Sequence, residues 1–113
     1  MQSTTARDVE IVACVVHYFG AQTYADIVRR HRLVANDHFR KHMLNGGVWG
    51  RDVTGVRTLF PLEPLLGRMA NMGFIAFDDS GEGPRKVIPN GTPFVPSRED
   101  KHRLKDLAII EEN

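Results

Sequence analysis

The stretch VEIVACVVHYF, residues 9–19, limits what this chain can fold into more than any other. Only Glu10 and His17 in it are polar. It follows Thr5-Ala-Arg-Asp8, a hydroxyl with an acid three residues on, and it ends at Gly20. That pattern predicts a helix over 6–19, because an N-cap hydroxyl takes up a free backbone N–H and a following glycine can close the last turn. A helix apolar on nearly every side belongs in the middle of a domain, or is shared with a second subunit. The other elements must be arranged around it.

A chain of 113 residues supplies one core of useful size rather than two, so residues 1–113 are expected to form a single domain. The apolar share of 42% and the charged share of 26% are ordinary for a soluble protein. The opening MQSTTARDVE lacks the basic-then-apolar layout of a secretory signal, and the longest apolar stretch is far too short to cross a membrane. Cys14 is the only cysteine, so no internal disulfide is available. These features predict a soluble, cytoplasmic protein.

Further helices follow from capping and period. Thr23-Tyr-Ala-Asp26 opens one over 23–33, with Tyr24, Ile27, Val28 and His31 on one face and Arg29, Arg30 and Arg32 largely off it. His31 on that stripe is expected to pack with a hydrogen-bond partner. Asn36 can cap a short helix, 37–44, whose Phe39 and Met43 point inward and which Asn45-Gly46-Gly47 stops. Residues 45–58 are glycine-rich and aperiodic, suiting a loop or a short ribbon of Val48–Trp49 against Val56–Thr58; Trp49 is a core plug or a partner anchor. Pro61 and Pro64 fit the first turn of a helix over 61–72, with Leu62, Leu65, Leu66 and Met69 as its stripe. Residues 74–88 read as a hairpin around the turn DDSGEGP, and Ser97-Arg-Glu-Asp100 opens a last helix, 97–111, with Leu104, Leu107, Ala108 and Glu111 on one face and Ile109 and Ile110 widening it. The fold class is mainly α with a small β-hairpin.

Charge is uneven along the chain. Net charge is +1, yet residues 26–42 hold Arg29, Arg30, Arg32, Arg40 and Lys41 against only Asp26 and Asp37. Residues 78–113 hold six Lys/Arg against eight Asp/Glu, so a polyanion is expected to meet the amino-terminal half.

The segment LEPLLGRMANMGFIAFDDSGEGPRKVI, residues 62–88, resembles the recognition helix and wing of winged-helix transcriptional regulators, the MarR-like group above all. Leu65, Leu66 and Met69 match the buried positions of that helix, Gly73-Phe74-Ile75 its glycine-plus-apolar ending, and Arg85-Lys86 the returning wing. The resemblance implies a winged-helix-like domain that binds double-stranded DNA, regulates transcription and forms a homodimer. It would place Arg68, Asn71, Arg85 and Lys86 at the DNA. Glu63 and the acidic tip Asp78, Asp79 and Glu82 oppose phosphate contact there. A second placement has better electrostatics: Thr23–Arg32 as first helix, Leu33–Asn36 as turn and Asp37–Leu44 as recognition helix. His38, Arg40, Lys41 and His42 then face the groove, Arg29, Arg30 and Arg32 meet phosphates, and Gly46–Leu59 forms a wing with Arg51 and Arg57. This second placement is the preferred site of DNA contact. The apolar first helix and the 104–111 stripe are the expected dimer surfaces.

Two other functions compete. A protein-interaction module on the same fold, such as an accessory or inhibitory protein, suits the near-neutral charge. A metal-responsive regulator would use Cys14, His38 and His42, since Cys14-Val-Val-His17 and the i, i+4 pair His38/His42 have zinc-like spacing. No nucleophile is paired with a base and no glycine-rich phosphate motif follows a strand, so neither catalysis nor a cofactor is expected.

Overall fold

The computed structural model describes residues 6–47 and 62–112. In chain order the elements are helix α1 (Ala6–Phe19), strand β1 (Gln22–Thr23), helices α2 (Tyr24–Ala35), α3 (Asp37–Leu44) and α4 (Leu62–Asn71), strands β2 (Ile75–Asp78) and β3 (Lys86–Pro89), and helix α5 (Arg98–Glu112). The fold is mainly helical with a small antiparallel sheet, as the patterning predicts. No helix among the described residues is long and apolar enough to cross a membrane.

The all-round apolar character of α1 has a simple outcome: Ile11 through Val16 are six consecutive buried residues. They feed two hydrophobic clusters at once. Val12, Ala13 and Val16 join Ile27, Leu62, Leu65, Leu66, Met69, Ile75 and Val87, which ties α1 to α2, α4 and the sheet. Ile11, Cys14 and Val15 join Leu33, Val34, Met43, Leu104, Leu107 and Ile110, which ties α1 to α2, α3 and α5. Each buried Val, Leu or Ile contributes roughly 2 kcal/mol relative to exposure, and α1 supplies three residues to each cluster. Much of the α1 face and Leu104, Leu107 and Ile110 of the stripe expected to form a dimer surface are thus covered within one chain, while Ile109 stays exposed.

The last stripe is also rotated from its expected position. The buried line of α5 is Asp100, Leu104, Leu107 and Ile110, while Ile109 is 52% exposed. A helix with Ile109 and Ile110 side by side can turn only one of them inward.

Local chemistry accounts for the boundaries. Thr23 Oγ1 accepts from Asp26 N and the Asp26 carboxylate accepts from Thr23 N, a complete capping box at the start of α2. Asn36 ends α2 with its own N–H on Arg32 O and starts α3 by accepting from Phe39 N. Ser97 Oγ accepts from Asp100 N, and the Asp100 carboxylate accepts from Arg7 and Arg103. After α4, Gly73 takes φ +85° while Gly73 N bonds Ala70 O and Phe74 N bonds Met69 O. This pair of bonds needs a left-handed residue, which glycine adopts without Cβ strain.

β2 and β3 form the expected hairpin, with Ile75 opposite Pro89 and Asp78 opposite Lys86. The sheet has a third strand that the sequence pattern did not reveal. β1 pairs antiparallel with β3, Gln22 opposite Val87, giving the order β1-β3-β2. Two residues are too few to show alternation. Gln22 is buried because its amide donates to Val15 O and Gly20 O and accepts from Arg30.

Candidate cationic surface

The arginines expected at the phosphates or in the groove are mostly engaged inside the protein. On α2, Arg30 lies over the Phe19 ring at 4.1 Å, donates to Gln22 Oε1 and forks onto both carboxylate oxygens of Glu111 at 2.7 and 3.1 Å. Arg29 reaches Asp26 and Glu111. Arg32 stacks over Phe39 at 5.1 Å. Arg40, expected to face the groove, is buried instead. Its guanidinium donates to Leu33 O and Val34 O, binds the Asp37 carboxylate, and lies 3.3 Å from Asp106. Those two carbonyls belong to the last turn of α2, so Arg40 caps the helix before it.

The partners come from α5, at sequence distances that no local pattern covers. Asp100 takes both guanidinium nitrogens of Arg7 on α1 at 2.7 Å, Asp106 meets Arg40 on α3, and Glu111 meets Arg29 and Arg30 on α2. One carboxylate of α5 therefore goes to each amino-terminal helix. The Arg7 hydrogen bonds hold the Asp100 carboxyl below the ordinary carboxylate range.

His38, Lys41 and His42 remain exposed on α3, as expected. Lys41 and Leu44 form one wall of a groove of about 540 Å³, and Arg98, Glu99 and His102 of α5 form the other. The floor is the charge-balanced set Asp37, Arg40, Arg103 and Asp106. Lys41 and Arg98 form no ion pair among the described residues, whereas Arg103 is shared by Asp37, Glu99 and Asp100. Sequence reasoning missed Arg98 and His102, because they lie in the acidic third of the chain.

The other candidates form a separate group. Arg68 and Asn71 are exposed on α4. Arg85 lies over Phe77 at 4.9 Å and donates to Asp79 at 2.8 Å, and Lys86 is paired in register with Asp78. The hairpin thus compensates its own cations. Arg51, Arg57 and Trp49, with the expected wing over 46–59, lie mainly or wholly outside the described residues.

The zinc-like spacing does not become a site. Cys14 is buried in the α1–α5 cluster, where burial pushes its thiol up to about 11, while His38 and His42 face out from α3. No group of three or more metal-binding side chains occurs among the described residues. His31 is buried with Nε2 3.0 Å from Asp8 Oδ1, and burial lowers its pKa, so a neutral ring donates to the carboxylate. His17 Nε2 donates to Phe74 O at 2.8 Å and links α1 to the residue before β2.

Comparison with family models, with curated proteins and with solved structures gave no match to this chain.

Proposed function

We propose that the chain is a small winged-helix-like domain that binds double-stranded DNA, with α3 and the groove beside it as the contact region. The observation that carries this reading is the order of elements. A helix, a short strand and a helix are followed, after α3, by a helix that feeds a hairpin, and the strands lie β1-β3-β2. That order is shared with winged-helix regulators, and it is a fold-level argument. Chemistry favours α3 for contact: His38, Lys41 and His42 are exposed there, and Lys41 forms no ion pair among the described residues. The α4–hairpin side offers Arg68 and Asn71 but pairs Arg85 with Asp79.

A second reading, docking to another protein, is favoured by one feature. Met72 and Val95 are 58% and 76% exposed beside the Phe74–Phe94 ring pair in the chain. A regulatory homodimer would use surface other than the α1 residues and Leu104, Leu107 and Ile110, which are packed within the chain.

Fluorescence anisotropy with a labelled duplex at two salt concentrations tests the proposal. Binding at low salt that weakens steeply with added salt is the expected outcome. Absence of binding at low salt removes DNA as the ligand and leaves the protein-docking reading.

A further inference from the structure

Helix α5 sorts its charges by side. Asp100, Asp106 and Glu111 are drawn inward to Arg7, Arg40, Arg29 and Arg30, as described above. Arg98, Lys101 and Lys105 are exposed, and none forms an ion pair among the described residues. Their spacing, i, i+3 and i+7, places the three on one stripe of the helix. His102, 78% exposed, lies beside that stripe, and Arg98 and His102 also form the groove wall facing Lys41. The summed charge of residues 78–113 hides this row, because the sum weighs paired and unpaired groups equally.

We propose that the outer row of α5, Arg98, Lys101 and Lys105, together with Lys41 across the groove, binds the phosphate backbone of nucleic acid. The row spans about 10 Å at 1.5 Å per residue, roughly the rise of three base pairs at 3.4 Å each. Cationic points at such intervals match a repeating anion better than a single small one. Exposed ammonium and guanidinium groups on solvated stems also lose little hydration before contact. No base edge is read by such a row. Its role is affinity and register, so binding through it is independent of sequence. Two carboxylates limit the surface. Glu99, 83% exposed, borders the groove 3.9 Å from Arg103, and Glu112 ends the exposed side of α5.

The proposal rests on nucleic acid being the ligand, and its test separates the two claims. A labelled 20-base-pair duplex is titrated with the full chain and with the Arg98→Ala/Lys101→Ala/Lys105→Ala variant over a series of salt concentrations. The altered side chains face solvent, so an unchanged circular dichroism spectrum and Tm are expected. The slope of log K against log salt should become shallower by about 0.9 for each phosphate that the variant no longer neutralises. Low-salt affinity should fall at least tenfold, and Lys41→Ala should release about one further phosphate. Lys101→Glu/Lys105→Glu should weaken binding more than the alanine changes do. If the duplex binds and both the triple variant and the charge reversal keep the parent's affinity and slope, the α5 row is wrong while DNA binding stands. If the parent binds no duplex at low salt, both claims fail. Binding of polyglutamate in place of duplex would assign the row to an acidic protein and overturn the proposal.

Discussion

Two sets of cations occupy this molecule, and their fates differ. Arg29, Arg30, Arg32 and Arg40 crowd a short stretch of α2 and α3, yet they are tied to Glu111, Asp106, Gln22, backbone carbonyls and aromatic rings. Arg98, Lys101 and Lys105 lie in a segment of net negative charge, yet they face solvent unpaired among the described residues. Density of charge along the chain is therefore a poor guide to charge at the surface. What decides is which side of each helix the core claims. Once Leu104, Leu107 and Ile110 pack against α1, α2 and α3, the carboxylates near that seam meet the arginines beside it. The cations on the far side of α5 are left for solvent or a ligand.

The contrast depends on α5 being docked, so the most severe test removes an anchor. Leu107 is fully buried, and Leu107→Ala should cost about 2–5 kcal/mol in urea unfolding. A loss under about 1 kcal/mol would mean that the seam does not hold α5, and the charge sorting would lose its basis. The neighbours Arg40 and Lys41 give the sharpest comparison. Arg40→Ala leaves Asp106 and two carbonyls of α2 without their donor and should cost about 3 kcal/mol, while the salt dependence of duplex binding stays unchanged. Lys41→Ala should do the reverse, leaving stability within about 0.5 kcal/mol and weakening the duplex. Equal effects on both properties from the two substitutions would erase the distinction between pairing and exposed cations.

Acid should loosen the paired set in two steps. Folded His31 holds a proton less tightly than the unfolded chain does, because burial disfavours the charged ring. As pH falls below its ordinary value near 6.5 the unfolded state takes up the proton first, and stability declines. Asp100 is held low by Arg7, so its contribution is present above its ordinary 3.8 and is lost as pH falls through the lower folded value. Urea midpoints from pH 7.5 to 5 should fall for the parent and flatten for His31→Asn. A parallel decline in both proteins would exclude the histidine as the cause. The smallest effect is expected at the rim: Glu111→Gln should cost at most about 1 kcal/mol, since its partners Arg29 and Arg30 remain partly exposed.

Much of the fold is legible in the sequence. The start of α2 is written in Thr23 and Asp26, the junction of α2 with α3 in Asn36, and the turn from α4 into the hairpin in Gly73. The central place of α1 follows from its lack of a polar face. The candidate surface is only half legible. His38, Lys41 and His42 stand on α3 as their helical spacing implies, but the burial of Arg40 and the outward row of α5 do not follow from any periodic pattern.

The sequence alone determined where helices begin and end and which of their faces are apolar, because capping bonds and side-chain periodicity act within a few residues. Only the tertiary structure decided which charges survive at the surface. Arg30 and Glu111 are 81 residues apart, and Arg7 and Asp100 are 93 apart. Such pairs form only after apolar packing has brought α5 against the other helices. Tertiary pairing also makes β1 a strand, since two residues at Gln22–Thr23 gain strand geometry only when β3 lies beside them. Local interactions set the elements, and long-range burial sorted their charges.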